Sequence, residues 1–133
     1  MQSRTIRLLI VEDNPGDAAL LRRMLAAFDE ALFEVEHAPR LSAAVELLGS
    51  MRFDAVLLDL DLPDSRELNT LVALRPCAGS VPIIVVTGLE DRQKALEALS
   101  CGAQDYLVKG TVDARLLGRA ILRRLSPLSA VGA

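Results

Sequence analysis

Short runs of β-branched and leucine side chains alternate along this chain with segments whose apolar positions recur every three or four residues, the patterns of buried strands and amphipathic helices. Ile6 to Val11 is the first run. The Glu-Asp-Asn-Pro-Gly-Asp that follows sets Asn14 to cap a helix with Pro15 at its first position. In that helix Ala18, Leu21, Leu25 and Phe28 share one face, away from Arg22 and Arg23. Phe33, Val35 and His37 alternate with Glu34 and Glu36, which predicts a strand with one solvated face near a sheet edge. Leu41, Ala44, Val45 and Leu48 predict a second helix, with Gly49 to end it.

Ala55 to Leu58, running into Asp59, reads as a strand buried on both faces. Pro63, Asp64 and Ser65 then turn the chain into a third helix around Leu68, Leu71 and Leu74, stopped by Pro76. Val81 to Val86 is the most β-branched run and ends at Thr87 and Gly88, with Pro82 at its start, where a missing donor is tolerated. A fourth helix carries Ala95, Leu96 and Leu99 and closes at Gly102. Tyr106 to Val108 is a fifth strand ending at Lys109 and Gly110, and Leu116, Leu117, Ala120, Ile121 and Leu125 mark a last helix. Five strand-helix units call for right-handed crossovers and a parallel sheet with helices on both faces.

The 133 residues accommodate one domain with a real core. Hydrophobic residues are 51% and charged residues 25%, which excludes disorder, and no apolar run approaches the roughly 20 residues of a membrane span. Aromatic residues are only 3%, so Leu, Val, Ile and Ala must build the core, as suits parallel strands covered on both faces. The amino end lacks a secretory pattern, and a net charge of -3 gives no global attraction to a nucleic-acid backbone. A cytoplasmic protein with no membrane insertion and no direct DNA binding is expected. Cys77 and Cys101 form no metal or disulfide pattern and are expected as buried thiols. Only Lys94 and Lys109 are lysines beside thirteen arginines.

In open parallel sheets, ligands bind beyond the carboxyl ends of the strands where strand order reverses. Glu12 and Asp13 follow the first strand, Asp59 the third with Asp61 two residues on, Thr87 the fourth and Lys109 the fifth. Strand order 2-1-3-4-5 would gather them in one pocket. Crowded carboxylates are held ionised most readily by a divalent cation, and oxygen-only ligands favour Mg2+ over zinc. A lysine and a hydroxyl opposite the metal surround a space for phosphoryl oxygens, and Asp59 is placed to be the nucleophile.

The segments VED at 11 to 13, LLDLDLPDS at 57 to 65, VVTG at 85 to 88 and GAQDYLVKG at 102 to 110 together resemble a bacterial two-component response-regulator receiver domain over about residues 5 to 125. The resemblance implies an α/β, flavodoxin-like, doubly wound five-stranded sheet with the receiver over 1–126; the residues at 127–133, small and apolar without a clear period, read as a flexible tail. The resemblance also implies that Asp59 accepts a phosphoryl group from the phosphohistidine of a sensor histidine kinase or phosphotransfer protein. Asp13 and Asp59 then bind Mg2+ through side chains, Asp61 through its backbone carbonyl, and Glu12, one methylene longer than the commoner Asp, through water. Lys109 pairs with the phosphoryl oxygens, Thr87 moves to bond one of them, and Tyr106 reorients with it. A phosphorylation-dependent signalling switch results, catalysing only its own phosphorylation and dephosphorylation. Its output face is the fourth helix, fifth strand and fifth helix, toward a protein effector or a second copy. Whether the receiver stands alone or heads a longer protein stays open.

The chain departs from the family at four places. Glu67 stands where many relatives have Gly, disfavouring φ > 0. Gly110 follows Lys109 where many have Pro, so a trans or adjusted peptide is expected. Glu12 replaces Asp. Leu89 sets an apolar side chain at the mouth, where it would slow water's access to the phosphoryl group.

Plainer roles compete. Lys94 can pair on its helix with Glu90 or Glu97; His37 reads as a strand residue; Tyr106 fits a core position as well as a switch; Arg115, Arg119 and Arg123 make a solvated stripe. Asp59-Leu60-Asp61 is also similar to the nucleophile and acid/base pair of haloacid-dehalogenase-like phosphatases, but those carry the nucleophile on the first strand and need room for a cap. A receiver-shaped module that is never phosphorylated is the third reading.

Overall fold

The structure, a computed structural model, describes residues 4–88 and 90–125. Strands β1 (Arg4–Val11), β2 (Ala31–Ala38), β3 (Ala55–Leu58), β6 (Ile83–Thr87) and β7 (Asp105–Val108) form one parallel sheet in the order β2-β1-β3-β6-β7, the predicted 2-1-3-4-5. A short antiparallel hairpin, β4 (Asp61–Leu62) with β5 (Ser65–Arg66), follows β3.

Alternation along the central strands divides the core into two halves. Leu9, Val11, Val56, Leu58, Ile83 and Val85 pack against α2 (Leu41–Ser50), α3 (Leu68–Ala78) and α4 (Arg92–Ser100) through Ala44, Leu71, Leu74 and Ala98. Ile6, Leu8, Ile10, Leu57, Ile84 and Val86 pack against α1 (Pro15–Ala27) and α5 (Ala114–Arg124) through Leu21, Leu25, Leu117 and Ile121. The scarcity of aromatics is met by this aliphatic lamination; Phe28 and Phe33 make a tilted ring pair with centroids 6.1 Å apart.

Asn14 caps α1 by accepting the Asp17 N–H at 2.9 Å, with Pro15 first in the helix. Asp91 and Asp113 cap α4 and α5 in the same way. Arg40 at the start of α2 makes no such bond; the Asp64 carboxylate, from the β4–β5 turn, accepts the N–H groups of Leu41 and Ser42 instead.

Several helix details differ from the pattern reading. Gly49 lies inside α2, which closes at Met51, and Val45 faces outward while Leu41, Leu47 and Leu48 pack inward. Pro76 sits in the last turn of α3 rather than stopping it: its fixed φ suits a helix, and only one intrahelical donor is lost near an end where Gly79, at φ 59°, finishes the turn. On α4 the inward position is Ala98, and Leu96 and Leu99 are exposed; on α5 Leu116 is exposed. α4 approaches the sheet through the small Ala98, which leaves its larger leucines on the flanks. Cys77 is exposed and Cys101 half-buried, so neither is a fully buried thiol. Among the described residues no peptide bond is cis, that between Lys109 and Gly110 included, and no helix is long and apolar enough to cross a membrane.

Candidate functional site

Three backbone bonds continue the strand ladders past their ends. Glu12 N–H donates to Ala38 O at 3.0 Å, Asp59 N–H to Val11 O at 2.9 Å and Lys109 N–H to Thr87 O at 2.8 Å. Each fixes the side chain that follows a strand at the carboxyl edge of the sheet, where β1 and β3 adjoin and the chain order reverses. The result is a cleft of about 820 Å3 lined by all seven residues singled out from the sequence: Glu12, Asp13, Asp59, Asp61, Thr87, Tyr106 and Lys109.

Glu12 is buried to 1% exposure and Asp59 and Thr87 to 7%, whereas Asp13 and Asp61 are exposed and Tyr106 and Lys109 half-buried. Carboxylate oxygens of Glu12, Asp13 and Asp59 lie within 4.8 Å of one another. Glu12 Oε2 accepts the Asn14 N–H at 3.2 Å, and Asp59 Oδ1 accepts the Asp61 N–H at 3.2 Å. Glu12 Oε1 is buried without an aligned hydrogen bond, although Lys109 Nζ stands 2.5 Å away. Burial first, then the adjoining Asp59, pushes the Glu12 carboxyl up to about 7 against the opposing pull of Lys109. Burial acts to depress the Lys109 ammonium, but Asp17, Glu12 and Asp59 outweigh it and hold it well above the ordinary lysine value. Three clustered carboxylates, one with a buried oxygen that makes no aligned hydrogen bond, fit a hard divalent cation bound through oxygen.

The structure also adds Asp17, which the pattern reading passed over, and gives other residues partners it did not assign. Lys109 Nζ donates to Asp17 Oδ2 at 2.8 Å, closer than its 3.2 Å contact with Asp59 Oδ2. Asp17 sits in the capped first turn of α1, four residues after Asp13; its closeness to the acidic pair was the only signal available. His37 Nε2 lies 2.6 Å from the backbone carbonyl of Glu12, so the one histidine braces the acidic pair from the neighbouring strand. Lys94 pairs with Glu67 across the mouth, not with Glu90 or Glu97 on its own helix. Arg119 pairs with Glu30 at 2.9 Å, while Arg115 and Arg123 are exposed.

The family model for the response regulator receiver domain matches residues 8–121. The chain belongs to this family. It is 35% identical over 129 residues, 96% of its length, to the response regulator MprA of Mycolicibacterium vanbaalenii, and covers 54% of that protein. The chain spans about half the length of the curated relatives it matches. Among solved structures it is similar to the receiver domain of the sensor histidine kinase PA1611 from Pseudomonas aeruginosa PAO1, which has a magnesium ion in its active-site cleft. That likeness has 27% identity and TM-score 0.76, over 90% of this chain and 96% of that one. It is also similar to a response regulator from Burkholderia pseudomallei with a phosphorylated aspartic acid, a calcium ion and citrate, at 25% identity and TM-score 0.73, over 96% of this chain and 70% of that one. The order and positions of the strands are those of a receiver, which sets aside the haloacid-dehalogenase reading.

This receiver domain adopts a glycine-like conformation at a glutamate. Glu67 has φ 53° and ψ -138°, and among the described residues no other non-glycine has positive φ. The expectation that Glu67 would avoid φ > 0 is overturned because the turn is fixed from outside: Glu67 N–H donates to Leu60 O at 2.5 Å, and buried Thr70 Oγ1 bonds Leu60 O and Ser65 Oγ at 3.3 and 2.9 Å. Leu89 and the proposed tail at 127–133 lie outside the described residues.

Proposed function

We propose that this receiver is a phosphorylation-dependent switch in which Asp59 accepts a phosphoryl group from the phosphohistidine of a sensor kinase or phosphotransfer protein. The observation that carries it is the meeting of buried Asp59 with Lys109 and the Glu12–Asp13 pair at the switch point of the sheet. An Asp59 carboxylate oxygen attacks phosphorus, the P–N bond breaks, and the imidazole leaves as its freed nitrogen takes a proton from solvent, giving an acyl phosphate. Water later cleaves the new P–O bond, returning the carboxylate and inorganic phosphate.

Asp13 and Asp59 would hold Mg2+ through their carboxylates, with the Asp61 carbonyl and a water-linked Glu12 completing the protein's share. When bound, the ion offsets negative charge on the transferring group. Lys109 supplies an ammonium to the phosphoryl oxygens, and Thr87 a hydroxyl. Tyr106, half-buried beside Thr87 in the same cleft, reorients as Thr87 engages. The change is read on α4, β7 and α5, where Leu96, Leu99 and Leu116 are exposed, by a protein effector or a second copy. A cytoplasmic location suits this exchange, and we assign the chain no DNA contact of its own.

Incubation with acetyl phosphate and Mg2+ should label Asp59 and leave Asp59→Asn unlabelled; a stable label on another residue would overturn the assignment. Lys109→Ala should still bind Mg2+ but fail to transmit phosphorylation to Tyr106. With one tyrosine and no tryptophan in the chain, tyrosine fluorescence reports that residue alone.

A further inference from the structure

A lysine ammonium has three protons to donate, and Lys109 faces three carboxylates from three elements. Nζ is 2.5 Å from Glu12 Oε1, 2.8 Å from Asp17 Oδ2 and 3.2 Å from Asp59 Oδ2. Only the contacts with Asp17 and Asp59 are aligned hydrogen bonds, and that with Asp17 is the shorter. Of its two aligned bonds, the ammonium thus makes the tighter one to the first turn of α1 and the looser one to the phosphoacceptor.

The three partners are unequal in how readily they let go. The side chains of Glu12 and Asp59 are 1% and 8% exposed, and that of Asp17 is 41% exposed. Water can replace Lys109 on Asp17 at little cost, but cannot do so on Glu12. Asp17 is aimed by its own backbone, since its N–H is held by the Asn14 side chain that begins α1. A phosphoryl group arriving at Asp59 needs a contact from Lys109, and the one released at least cost is that with Asp17, the most exposed of the three partners.

We propose that Asp17 is a positioning residue that competes with the phosphoryl group for Lys109, restraining phosphorylation and tying the state of Asp59 to the first turn of α1. This rests on Asp59 being the phosphoacceptor. The alternative is a purely structural carboxylate in the first turn of a helix, favoured there by the helix dipole. That role would alter melting temperature and leave Lys109 untouched.

The chain's two lysines allow a direct test by side-chain ammonium NMR of the unphosphorylated protein, with Lys94 as the internal reference. Asp17→Asn should shift the Lys109 resonance and leave Lys94 in place, and Asp17→Glu should restore it. With acetyl phosphate at saturating Mg2+, Asp17→Asn should raise the rate of Asp59 labelling about two- to fivefold, equivalent to about 0.4 to 1 kcal/mol of barrier. In a Lys109→Ala background the same substitution should change the rate by less than that. An unmoved Lys109 resonance, an unchanged or slower rate, or an equal gain without Lys109 would each overturn the proposal. A parent protein that takes no label on Asp59 would overturn the phosphoacceptor reading instead, and the resonance would still decide whether Asp17 positions Lys109.

Discussion

Glu67 and Lys94 join the turn after β3 to α4 by an ion pair across the mouth of the cleft. Glu67 holds this place at φ 53° and ψ -138°, a region that suits glycine and costs other residues about 1 to 3 kcal/mol. The Lys94 pair is exposed enough to recover little of that cost. Glu67→Gly removes the strain, at the expense of the pair and of a more flexible unfolded chain, and should raise stability by about 1 kcal/mol in urea denaturation. Glu67→Ala keeps the strain, loses the pair and should stabilise nothing. A Glu67→Gly protein less stable than its parent would show that the bonds at Leu60 and Thr70 do more than hold a strained turn.

What the sequence disclosed and what it withheld divide along physical lines. Strand order and the meeting of all seven candidate residues in one cleft were legible because most of these side chains end or closely follow an apolar run, and the fold rule for such sheets converts strand ends into one place. Asp17 was not legible, since nothing along the chain says that a residue of the first turn of α1 reaches a lysine 92 positions away. Lys94 was assigned to its own helix because local spacing favours Glu90 and Glu97, while the partner it meets depends on the turn at Glu67. The outward leucines of α4 were misread for a related reason. Helical periodicity gives a face, but whether Ala98 or Leu99 lies at its centre is decided by how closely the helix approaches the sheet.

Asp64 offers a test of a cap supplied from outside its helix. Its carboxylate oxygens accept the Leu41 and Ser42 N–H groups at 2.8 and 3.0 Å, and removing such a cap costs about 1 kcal/mol. Slight desolvation works to raise the Asp64 carboxyl, but those two donations outweigh it and hold the group below the usual carboxylate value. The folded chain therefore gives up this proton more readily than the unfolded one. The cap contributes in full above the ordinary aspartate value of about 3.9 and fades as pH falls through the lower folded value. Asp64→Ala should be less stable than the parent at pH 7, and the gap should close in acid. An equal gap at pH 7 and pH 2.5 would count against an ionised cap.

Arg75 ties the amino edge of the sheet together. Its guanidinium donates to Gly102 O at 3.0 Å, Gly79 O at 2.8 Å, Val81 O at 2.5 Å and Gln104 Oε1 at 3.3 Å, while the same Gln104 oxygen accepts the Ile83 N–H at 2.8 Å. Partial burial lowers the Arg75 pKa without threatening its charge. Lysine has the charge but not the planar fork that reaches several carbonyls at once. Arg75→Lys should lose about 1 kcal/mol and Arg75→Ala about 2 kcal/mol in urea denaturation, with Asp59 labelling by acetyl phosphate unchanged in the folded protein. Lysine matching arginine would mean that charge, not the fork, is what this edge needs.

Gly118 sets two known effects against each other. It is buried within α5, and a Cβ there would collide with the ring of Phe28 at the end of α1. Alanine in a helix interior is favoured over glycine by about 1 kcal/mol, whereas forcing a methyl into a packed core costs about 1 to 3 kcal/mol. Phe28 is itself held, buried to 6% exposure and set in a tilted pair with Phe33, so the collision should prevail. Gly118→Ala is expected to be about 1 kcal/mol less stable than the parent, and combining it with Phe28→Leu should return part of that loss by opening the space. A gain in stability from Gly118→Ala alone would mean that the ring moves aside freely and that α1 and α5 pack less tightly than their contact implies.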